Sequence, residues 1–314
     1  MTSSGISNWP APARLTVGVI SAGRVGTALG SALEAAGHVV GGVLARSERS
    51  QARAARLLPD SELLTLAAVV ARSELLLVAV PDDALDAVVA EIAACGALRA
   101  GTIVAHTAGA RGIAVLAPLA DLGATCLALH PAMTFVDSDE DVRRLHTACF
   151  GVTAADEIGY AVGSALVLEM GGEPVRVREE ARPLYHASLA HGANHLVALI
   201  SDALDGLRIA LAGQELPGQD PVDDGPGGLP ARVLGPLVTA ALENTLELGP
   251  RALTGPVARG DAHAIARHLA ALDEADPDLA GAYRAMALRA AHHAGASDAV
   301  RGVLRGTDPE GLDR

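Results

Sequence analysis

Two short segments carry side chains that can donate a proton to an oxygen atom or hold that atom in place. One is HPAMTF at 130–135, which puts an imidazole at the end of an apolar run. The other is RPLYHASLAHGANH at 182–195, where polar side chains stand among small residues. Polar groups on an apolar helix are costly to bury unless they bond something. At about 100° per residue, Asn194 falls between His186 and His191 on one helix face, so the three could converge on a carbonyl group.

These segments supply the candidate catalytic and substrate-binding residues. We predict catalytic roles for Asn194, His130 and His186, and substrate contacts for Tyr185, His191 and Arg259. Arg259 lies in a turn between two helices, where its planar guanidinium would hold a carboxylate with two hydrogen bonds. There are three competing interpretations. His130 could have a packing or capping role, and the polar side chains of the long helix could be solvated or hydrogen-bond a neighbouring helix. Arg259 could form an ion pair with Asp261.

A glycine-containing turn near the start of the chain predicts the site of a second reactant. The segment LTVGVISAGRVGTALG at 15–30 is a short apolar strand, a turn and a helix of small residues. Such a turn brings the backbone close to a pyrophosphate, and the helix points its first N–H groups at that anion. In the G-x-G-x-x-G pattern Gly23 and Gly26 fit, whereas Ser21 holds the first glycine position. The alternative is a turn that serves packing alone.

The residue that follows the second strand favours one type of cofactor. The strand at 38–45 ends at Arg46-Ser47, about 20 residues after the turn, where an NAD site carries an acidic residue for the ribose hydroxyl. Arginine there suits a 2′-phosphate, so we predict NADPH; the alternative for Arg46 is an ordinary solvated arginine. The predicted cofactor-binding residues lie in the turn, after the second strand and at the ends of two later strands: Ser21, Gly23, Arg24, Val25, Gly26, Arg46, Ser47, Val80, Pro81 and Thr107.

The elements that position these residues fall into two blocks. Buried apolar strands alternate with helices through residues 15–177, which predicts a Rossmann-type parallel sheet in an α/β domain. In this domain we expect Pro131 to stop the strand at 124–129 and Asp82 to cap the next helix. Residues 178–314 contain only long helices, an all-α C-terminal domain for substrate and dimer contacts, in which Asp261 is a natural N-cap. We predict a flexible tail at 1–14 and a flexible loop at 213–230.

Composition excludes several classes of function. The formal charge of −13 argues against nucleic acid and anionic membranes as partners. Because the chain has no lysine, Schiff-base chemistry and a lysine proton donor are excluded. Three cysteines in apolar surroundings indicate buried, reduced thiols, and no spacing favours a metal site. With no apolar h-region and no run of membrane-spanning length, we expect a soluble cytoplasmic protein. A serine hydrolase does not fit, because no G-x-S-x-G elbow follows a strand.

Several motifs together resemble one family. In chain order they are VISAGRVGTALG, VAVPDDAL, HTAGA, HPAMTF, YHASLAHGANHLVAL and LTGPVARGDAHAIARHL. They resemble Rossmann-like proteins with domain of unknown function 2520, a branch that looks close to ketopantoate and pyrroline-5-carboxylate reductases. The resemblance implies a Rossmann domain, a helical C-terminal domain and a dimer. It also implies cofactor contacts for Gly23, Gly26 and Arg46 and substrate contacts for His130, Asn194 and Arg259. Some members of that family are thought to act as an alternative ketopantoate reductase.

The chain departs from the family pattern at three positions. Ser21 stands where glycine is usual, and Ala108 where serine is expected. Relatives with a catalytic lysine four residues before the helix asparagine would place it at Ala190. The lysine mechanism is therefore impossible here, and a histidine, Tyr185 or water must donate the proton.

Three hypotheses follow. The leading one is an NADPH-dependent reductase of a small 2-oxo acid, with ketopantoate as the preferred substrate and a homodimer as the assembly. The second is an imine reductase or a deazaflavin-linked NADP reductase on the same scaffold. The third is a sensor or interaction protein that binds NADP(H) without catalysis.

Overall fold

A computed structural model describes residues 14–212 and 225–307. The chain divides into two compact units, one up to Ala190 and one from His191. The predicted tail lies outside the described residues except for its last position, and so does most of the predicted loop, up to residue 224. The remainder of that loop is partly helical, because the second long helix begins at Leu229, inside the predicted loop.

The first unit is built on a sheet of eight strands. In chain order they are β1 (Thr16–Ile20), β2 (Val39–Leu44), β3 (Glu62–Leu63), β4 (Leu75–Val78), β5 (Ile103–His106), β6 (Thr125–Pro131), β7 (Cys149–Ala154) and β8 (Glu173–Arg176). They lie side by side in the order β3-β2-β1-β4-β5-β6-β7-β8. Neighbouring strands are parallel except for β6 and β7, which pair antiparallel with His130 opposite Gly151. The predicted parallel sheet is thus confirmed as an α/β architecture, with one antiparallel pair that the sequence pattern did not show.

Helices cover both faces of this sheet. They are α1 (Arg24–Ala35), α2 (Glu48–Leu57), α3 (Leu66–Arg72), α4 (Leu85–Ala94), α5 (Ala117–Ala120), α6 (Glu140–Leu145) and α7 (Glu157–Glu169). Alternate residues of each central strand point to opposite faces, so Leu75 and Leu77 join the core under α1 and α7, and Leu76 joins the one under α3 and α4. The sequence pattern at 112–122 favours one helix, but this segment forms a 3₁₀ turn followed by the single turn α5. Helices α3 and α6 were not predicted.

Strand order places a crevice between β1 and β4. From β1 the chain moves outward through β2 and β3, then returns to the other side of β1 and continues through β4, β5 and β6. At such a reversal the connections leave in opposite directions, and a space opens beyond the carboxyl ends of the strands. Ser21, Val80, Thr107 and His130 all follow or end these strands, so the fold brings them to one edge of the sheet.

The second unit is helical throughout its described residues. Its helices are the later part of α8 (Arg182–Leu211), then α9 (Leu229–Leu248), α10 (Gly255–Arg259), α11 (Ala262–Ala275), α12 (Pro277–Ala294) and α13 (Asp298–Arg305). Helices α11, α12 and α13 share a small core around Ile265, Ala291 and Leu304. Helix α9 contributes nothing to that core and exposes apolar residues around its circumference. None of the helices in the described parts of the chain has the length and apolarity needed to cross a membrane.

Of the predictions about single residues, the structure confirms one helix cap and contradicts a second cap, a strand end and the burial of the cysteines. The Asp261 carboxylate accepts the Ala264 N–H as the predicted N-cap of α11. Asp82 caps no helix: it opens a 3₁₀ turn without a side-chain cap bond. Pro131 does not stop β6. The strand continues through Pro131, which lies opposite Phe150, and the Ala132 N–H then donates to the Cys149 carbonyl. The cysteines differ in burial: Cys126 is buried and Cys149 is exposed, against the prediction that all were buried.

Candidate functional site

The turn between β1 and α1 is shaped to approach an anion. Ser21 adopts a φ of +78°, the left-handed conformation that glycine adopts easily, in the first glycine position of the motif. A Cβ on Gly26 would collide with the Ser21 carbonyl oxygen, so only glycine lets this turn close. Gly23 is the N-cap of α1 and gives no side-chain cap bond, which leaves the first N–H groups of the helix for a ligand.

One end of the crevice is a cavity of about 350 Å³ rich in arginine and serine. Arg46, Ser47, Arg49 and Ser50 lie along it, at the end of β2 and in the first turn of α2. Ser47 caps α2 and exchanges hydrogen bonds with Ser50, which holds this turn in place. Arginine forks and a helix N-terminus suit a phosphate ester. In the structure the Arg46 Nη2 donates to Glu91 at 2.6 Å, an exposed pair on the cavity rim.

Arg53 connects this end of the crevice with the segment after β6. Its Nη1 donates to the Ala22 carbonyl in the glycine turn at 3.2 Å, and its Nε donates to Asp137 at 2.7 Å. Arg24 makes a second connection, donating from Nη1 to the Phe135 carbonyl at 2.9 Å. The pair with Arg53 holds the pKa of Asp137 below its usual range. The segment after β6 is therefore tied to the glycine turn by two arginines, of which Arg53 was not predicted.

The other end of the crevice is a cavity of about 460 Å³ that contains the candidate acid groups. Arg24, Val25, Val80, Pro81 and Thr107, all predicted cofactor contacts, line it. The imidazoles of His130 and His186 also line it, with ring centroids 5.5 Å apart in an edge-to-face arrangement. Gly109 was not predicted: a Cβ there would overlap both imidazoles, so glycine lets the rings approach the backbone.

His130 is a neutral imidazole at neutral pH. Its pKa is lowered to about 4, first by burial and then by the nearby bases His186, Arg182 and His106. Its Nδ1 lies 3.2 Å from the Tyr185 hydroxyl, and its Nε2 edge faces Gly109 in the cavity. A neutral imidazole in this setting can donate a hydrogen bond from Nε2, but it is not a stored imidazolium acid, as a simple histidine acid would require.

A second buried histidine shapes the backbone of this end. His106 is fully buried, and its Nε2 lies 2.8 Å from the Gly112 carbonyl while the Ala108 N–H donates to its Nδ1 at 3.2 Å. The carbonyl can only accept a hydrogen bond, and Nδ1 accepts one from the Ala108 N–H, so Nε2 carries the ring hydrogen. Burial lowers the pKa of His106 to about 4. The ring therefore fixes the turn from Thr107 to Gly112 that borders the cavity.

The remaining predicted residues belong to the second unit. His191 and Asn194 lie on α8 after the division at Ala190, and both are exposed. The His191 Nδ1 lies 2.6 Å from the Nδ1 of His195, a neighbour that was not predicted to interact. Arg259 ends α10, is exposed, and forms no ion pair within the described residues; the alternative pair with Asp261 is not formed, since Asp261 caps α11.

Arg182 is the residue of the site that sequence reasoning missed most completely. It begins α8 and is fully buried beneath Tyr185, where it donates to Thr153 and to two strand carbonyls. The only signal available in the sequence was its place ahead of Tyr185 and His186.

These arrangements pass a simple test of fit for a dinucleotide. Gly26 lets the turn between β1 and α1 bring its backbone close to a ligand, and the N-terminus of α1 has N–H groups left to donate. An arginine-rich cavity lies where the second strand ends. A pyrophosphate fits at the turn and the helix N-terminus, a ribose phosphate fits at the arginine-rich cavity, and a ring fits in the second cavity, beside Thr107 and His130.

Two family models match the sequence. A Rossmann-like domain matches residues 1–131, and the domain of unknown function DUF2520 matches residues 148–290. The chain belongs to the DUF2520 family of Rossmann-like proteins. No curated protein sequence is significantly similar to this member of the family.

Solved structures share the fold of this DUF2520 protein. A Bacteroides fragilis protein provisionally described as an NADP oxidoreductase is 22% identical, with a TM-score of 0.70 over 89% of this chain and 98% of that one. A reductive aminase from Aspergillus terreus in complex with NADPH and ethyl-5-oxohexanoate is 18% identical, with a TM-score of 0.63 over 94% and 100%. An imine reductase from a Pseudomonas species is 16% identical, with a TM-score of 0.61 over 94% and 100%. At these identities the likeness shows the fold alone.

Proposed function

We propose that this DUF2520 protein is an NADPH-dependent oxidoreductase that reduces the carbonyl group of a small 2-oxo acid. The observation that carries the proposal is the setting of His130. It is a neutral imidazole at the catalytic end of the crevice, and the ionisable neighbours that shift its pKa are all bases. Such surroundings stabilise negative charge, and negative charge develops on the oxygen when a carbonyl is reduced.

Residues of the first unit would hold the cofactor. Gly23, Gly26 and the start of α1 would contact the pyrophosphate, and Arg46, Ser47, Arg49 and Ser50 the 2′-phosphate. Val80, Pro81 and Thr107 would border the nicotinamide. NADPH supplies a hydride when it is bound. The arginine-rich cavity and the relatives solved with NADPH support this choice of cofactor over NADH.

The protein side of the reaction requires an oxygen-binding group and a proton. His130 would give its Nε2 proton to the oxygen as the carbon is reduced, and His186 would border the same oxygen. From the second unit we propose that Asn194 hydrogen-bonds the oxygen and that Arg259 binds the carboxylate, in the roles that the resemblance implies. Ketopantoate, which carries a carboxylate beside its ketone, is the specific substrate we propose.

Imine reduction is the second candidate, and the reductive aminase and imine reductase folds favour it. An iminium substrate carries a positive charge before it receives hydride, so it is stabilised by a nearby carboxylate. The groups around His130 are bases and include the buried guanidinium of Arg182. The guanidinium would repel an iminium ion, which is the reason we place carbonyl reduction first.

NADPH oxidation against a panel of 2-oxo acids and cyclic imines tests this choice. We expect turnover of oxo acids, with ketopantoate fastest, and little turnover of imines. Asn194→Ala should lower kcat by about 10²-fold or more with a smaller change in KM, because the hydrogen bond from the Asn194 side chain to the substrate oxygen strengthens in the transition state. A protein that binds NADPH but reduces neither class, with Asn194→Ala changing only thermal stability, would instead fit the sensor hypothesis.

We also propose that the assembly is a homodimer formed through the second unit. Helix α9 has 20 residues, and Leu237 and Leu246 are 68% and 80% exposed. A helix that exposes apolar residues on several sides is normally covered on several sides. A second copy offers the matching surface, because closed two-fold assembly buries the same helix in both chains.

A further inference from the structure

Arg182 is a buried cation that touches no carboxylate in the described part of the chain. Its side chain is 0% exposed. It donates to three neutral oxygens, the Thr153 hydroxyl at 2.8 Å, the Ala128 carbonyl at 2.8 Å and the Gly151 carbonyl at 2.9 Å. Its Nη1 is buried and has no hydrogen-bond partner. A buried charge without an opposite charge is costly, so its presence calls for an explanation beyond the attachment of a helix.

The guanidinium lies next to the tyrosine that bonds His130. The Arg182 Cζ is 5.8 Å from the centroid of the Tyr185 ring, and the Tyr185 hydroxyl is 3.2 Å from the His130 Nδ1. Gly151 lies beside both: its carbonyl accepts a hydrogen bond from Arg182, and its backbone lies close to the phenol oxygen. A Cβ on Gly151 would crowd that oxygen, so glycine permits the contact.

The position of the His130 ring gives its contact with Tyr185 a direction. Its Nε2 edge faces Gly109 in the cavity, where the neutral ring can donate to a substrate oxygen only if its hydrogen is on Nε2. Nδ1 is then an acceptor, and the Tyr185 hydroxyl, 3.2 Å away, is its donor. A neutral imidazole that accepts at Nδ1 carries its own hydrogen on Nε2, the edge that faces the cavity.

We propose that Tyr185 and His130 form a proton relay to the substrate oxygen and that Arg182 is its positioning residue, stabilising the negative charge left on Tyr185. This inference rests on the proposed carbonyl reduction. As the carbon gains a hydride, the oxygen takes the Nε2 proton of His130. The Nδ1 of His130 takes the phenol proton of Tyr185, which breaks the O–H bond and leaves a phenolate beside the guanidinium. After product leaves, Nε2 takes a proton from solvent and the Nδ1 proton returns to the phenolate, which restores the starting state.

The lack of a counter-charge is what suits Arg182 to this task. A carboxylate in contact with the guanidinium would cancel its field before the reaction began. Held by neutral oxygens, the charge is compensated only when the phenolate forms, which is electrostatic stabilisation directed at the transition state. The carbonyls and the hydroxyl that hold it belong to β6 and β7, so its position does not depend on bound substrate.

The surrounding charges agree with this assignment. Burial raises the pKa of Tyr185, and so does Cys149 from β7. Arg182 and the Gly151 backbone lower it. His106, from β5, and His186, from α8, join Arg182 in lowering the pKa of His130. Glu179, from the turn before α8, is the acidic group that raises the pKa of Arg182; within the described residues its carboxylate accepts from the Ile113 and Ala114 N–H groups and not from the guanidinium.

Titration without substrate provides the first test. Arg182→Met removes the charge and keeps a long apolar side chain, whereas Arg182→Lys keeps a charge. The pKa of His130 would be followed by histidine NMR signals, and that of Tyr185 by ultraviolet difference spectra with Tyr185→Phe as reference. With Arg182→Met we expect both pKa values to rise by about half a unit or more, and with Arg182→Lys to stay close to wild type. Unchanged values in Arg182→Met would overturn the proposal.

Kinetics provides the second test. Arg182→Met should lower kcat about tenfold, leave the Kd for NADPH unchanged, and cause no further loss when Tyr185→Phe is already present, because the charge acts through the phenol. Arg182→Lys should keep kcat within about threefold of wild type. Additive losses in the double variant would show that Arg182 only anchors α8.

Two further outcomes are informative. If Arg182→Met does not fold, Arg182→Lys decides: a loss of kcat as large as that of Tyr185→Phe would overturn the proposal, and a retained kcat would support it. If wild type reduces no substrate while the titrations shift as expected, the proposed function fails and the coupling of Arg182 to Tyr185 and His130 stands.

Discussion

The carbonyl oxygen of Ser21 occupies the space that a Cβ on Gly26 would need. Gly26→Ala must therefore push the turn apart or displace α1. We expect a loss of about 1–3 kcal/mol in the free energy of unfolding, as in overpacked cores, and at least tenfold weaker NADPH binding. Denaturant unfolding and fluorescence titration measure the two effects. As a control, Gly281→Ala in α12 meets no atom within 4 Å and should be neutral or stabilising; equal losses in both variants would contradict the prediction.

Ser21→Gly should stabilise the protein. The residue has a φ of +78°, which costs a side chain about 1–2 kcal/mol, and the greater freedom of glycine in the unfolded chain offsets part of the gain. We expect a net increase of about 0.5–1 kcal/mol in the free energy of unfolding, measured in urea, with NADPH binding retained. Asp137 also has a positive φ but bonds two arginines. Asp137→Gly should therefore destabilise, and a gain there would show that backbone strain dominates at both sites.

Cofactor selectivity should depend on Arg46. A charge-assisted contact to the 2′-phosphate contributes about 1.5–3 kcal/mol, so Arg46→Ala should weaken NADPH binding about tenfold to 150-fold and leave NADH nearly unchanged. Glu91→Gln frees Arg46 from its exposed pair and should strengthen NADPH binding by a few fold at most. Isothermal titration with both cofactors measures these changes. Arg72→Ala breaks the exposed pair with Glu62 and serves as control; equal losses for both cofactors in Arg46→Ala would assign Arg46 to the fold instead.

Acid should destabilise the first unit through His106. Burial lowers its folded pKa to about 4, below the usual 6.5. Between those values the unfolded chain binds a proton that the native state does not, so stability is full above about pH 6.5 and falls as the pH drops towards 4. The loss from this residue is about 3 kcal/mol at most. Urea unfolding from pH 7 to 4.5 should show a shallower decline in His106→Gln, and identical slopes would contradict the buried neutral assignment.

Dimerisation should depend on α9. Leu237→Glu and Leu246→Glu place charges on the exposed apolar surface of this helix and should produce a monomer at micromolar concentration, detected by sedimentation velocity. Ile158 on α7 is equally exposed, at 76%, and lies in the first unit. Ile158→Glu should leave the assembly unchanged. A wild-type monomer, or a dimer that survives both α9 substitutions, would reject this interface.

Local patterns predicted most elements of the first unit, since most of its strands are short apolar runs that end in polar or turn-forming residues. The ends of β1, β4 and β5 lie within about two residues of the predicted positions, and the strand ends determine where the crevice lies. Strand direction was not predictable in the same way. A buried run such as the one in β7 packs equally well in either direction, and its pairing with β6 depends on the path of the chain between them.

The contacts that define the site were harder to predict because they join distant residues. Arg53 and Asp137 are 84 positions apart, and Arg182 and Thr153 are 29 apart. Nothing in the local pattern distinguishes these arginines from the solvated ones on the same helices. The proximity of His130 to Tyr185 and His186 was likewise open in the sequence, although each residue was singled out by its type and place. The role of His130 changed most, since burial makes its resting form neutral.

The division of the chain at Ala190 falls inside α8, four residues after His186. The arginine-rich cavity, the glycine turn, the relay and its buried cation all precede that position, while Asn194 and Arg259 follow it. The groups proposed to hold the cofactor and supply the proton are thus encoded in one segment, and the proposed contacts to the rest of the substrate in another. A lineage could therefore diversify its substrates by drift or recombination downstream of residue 190 and inherit the redox chemistry intact.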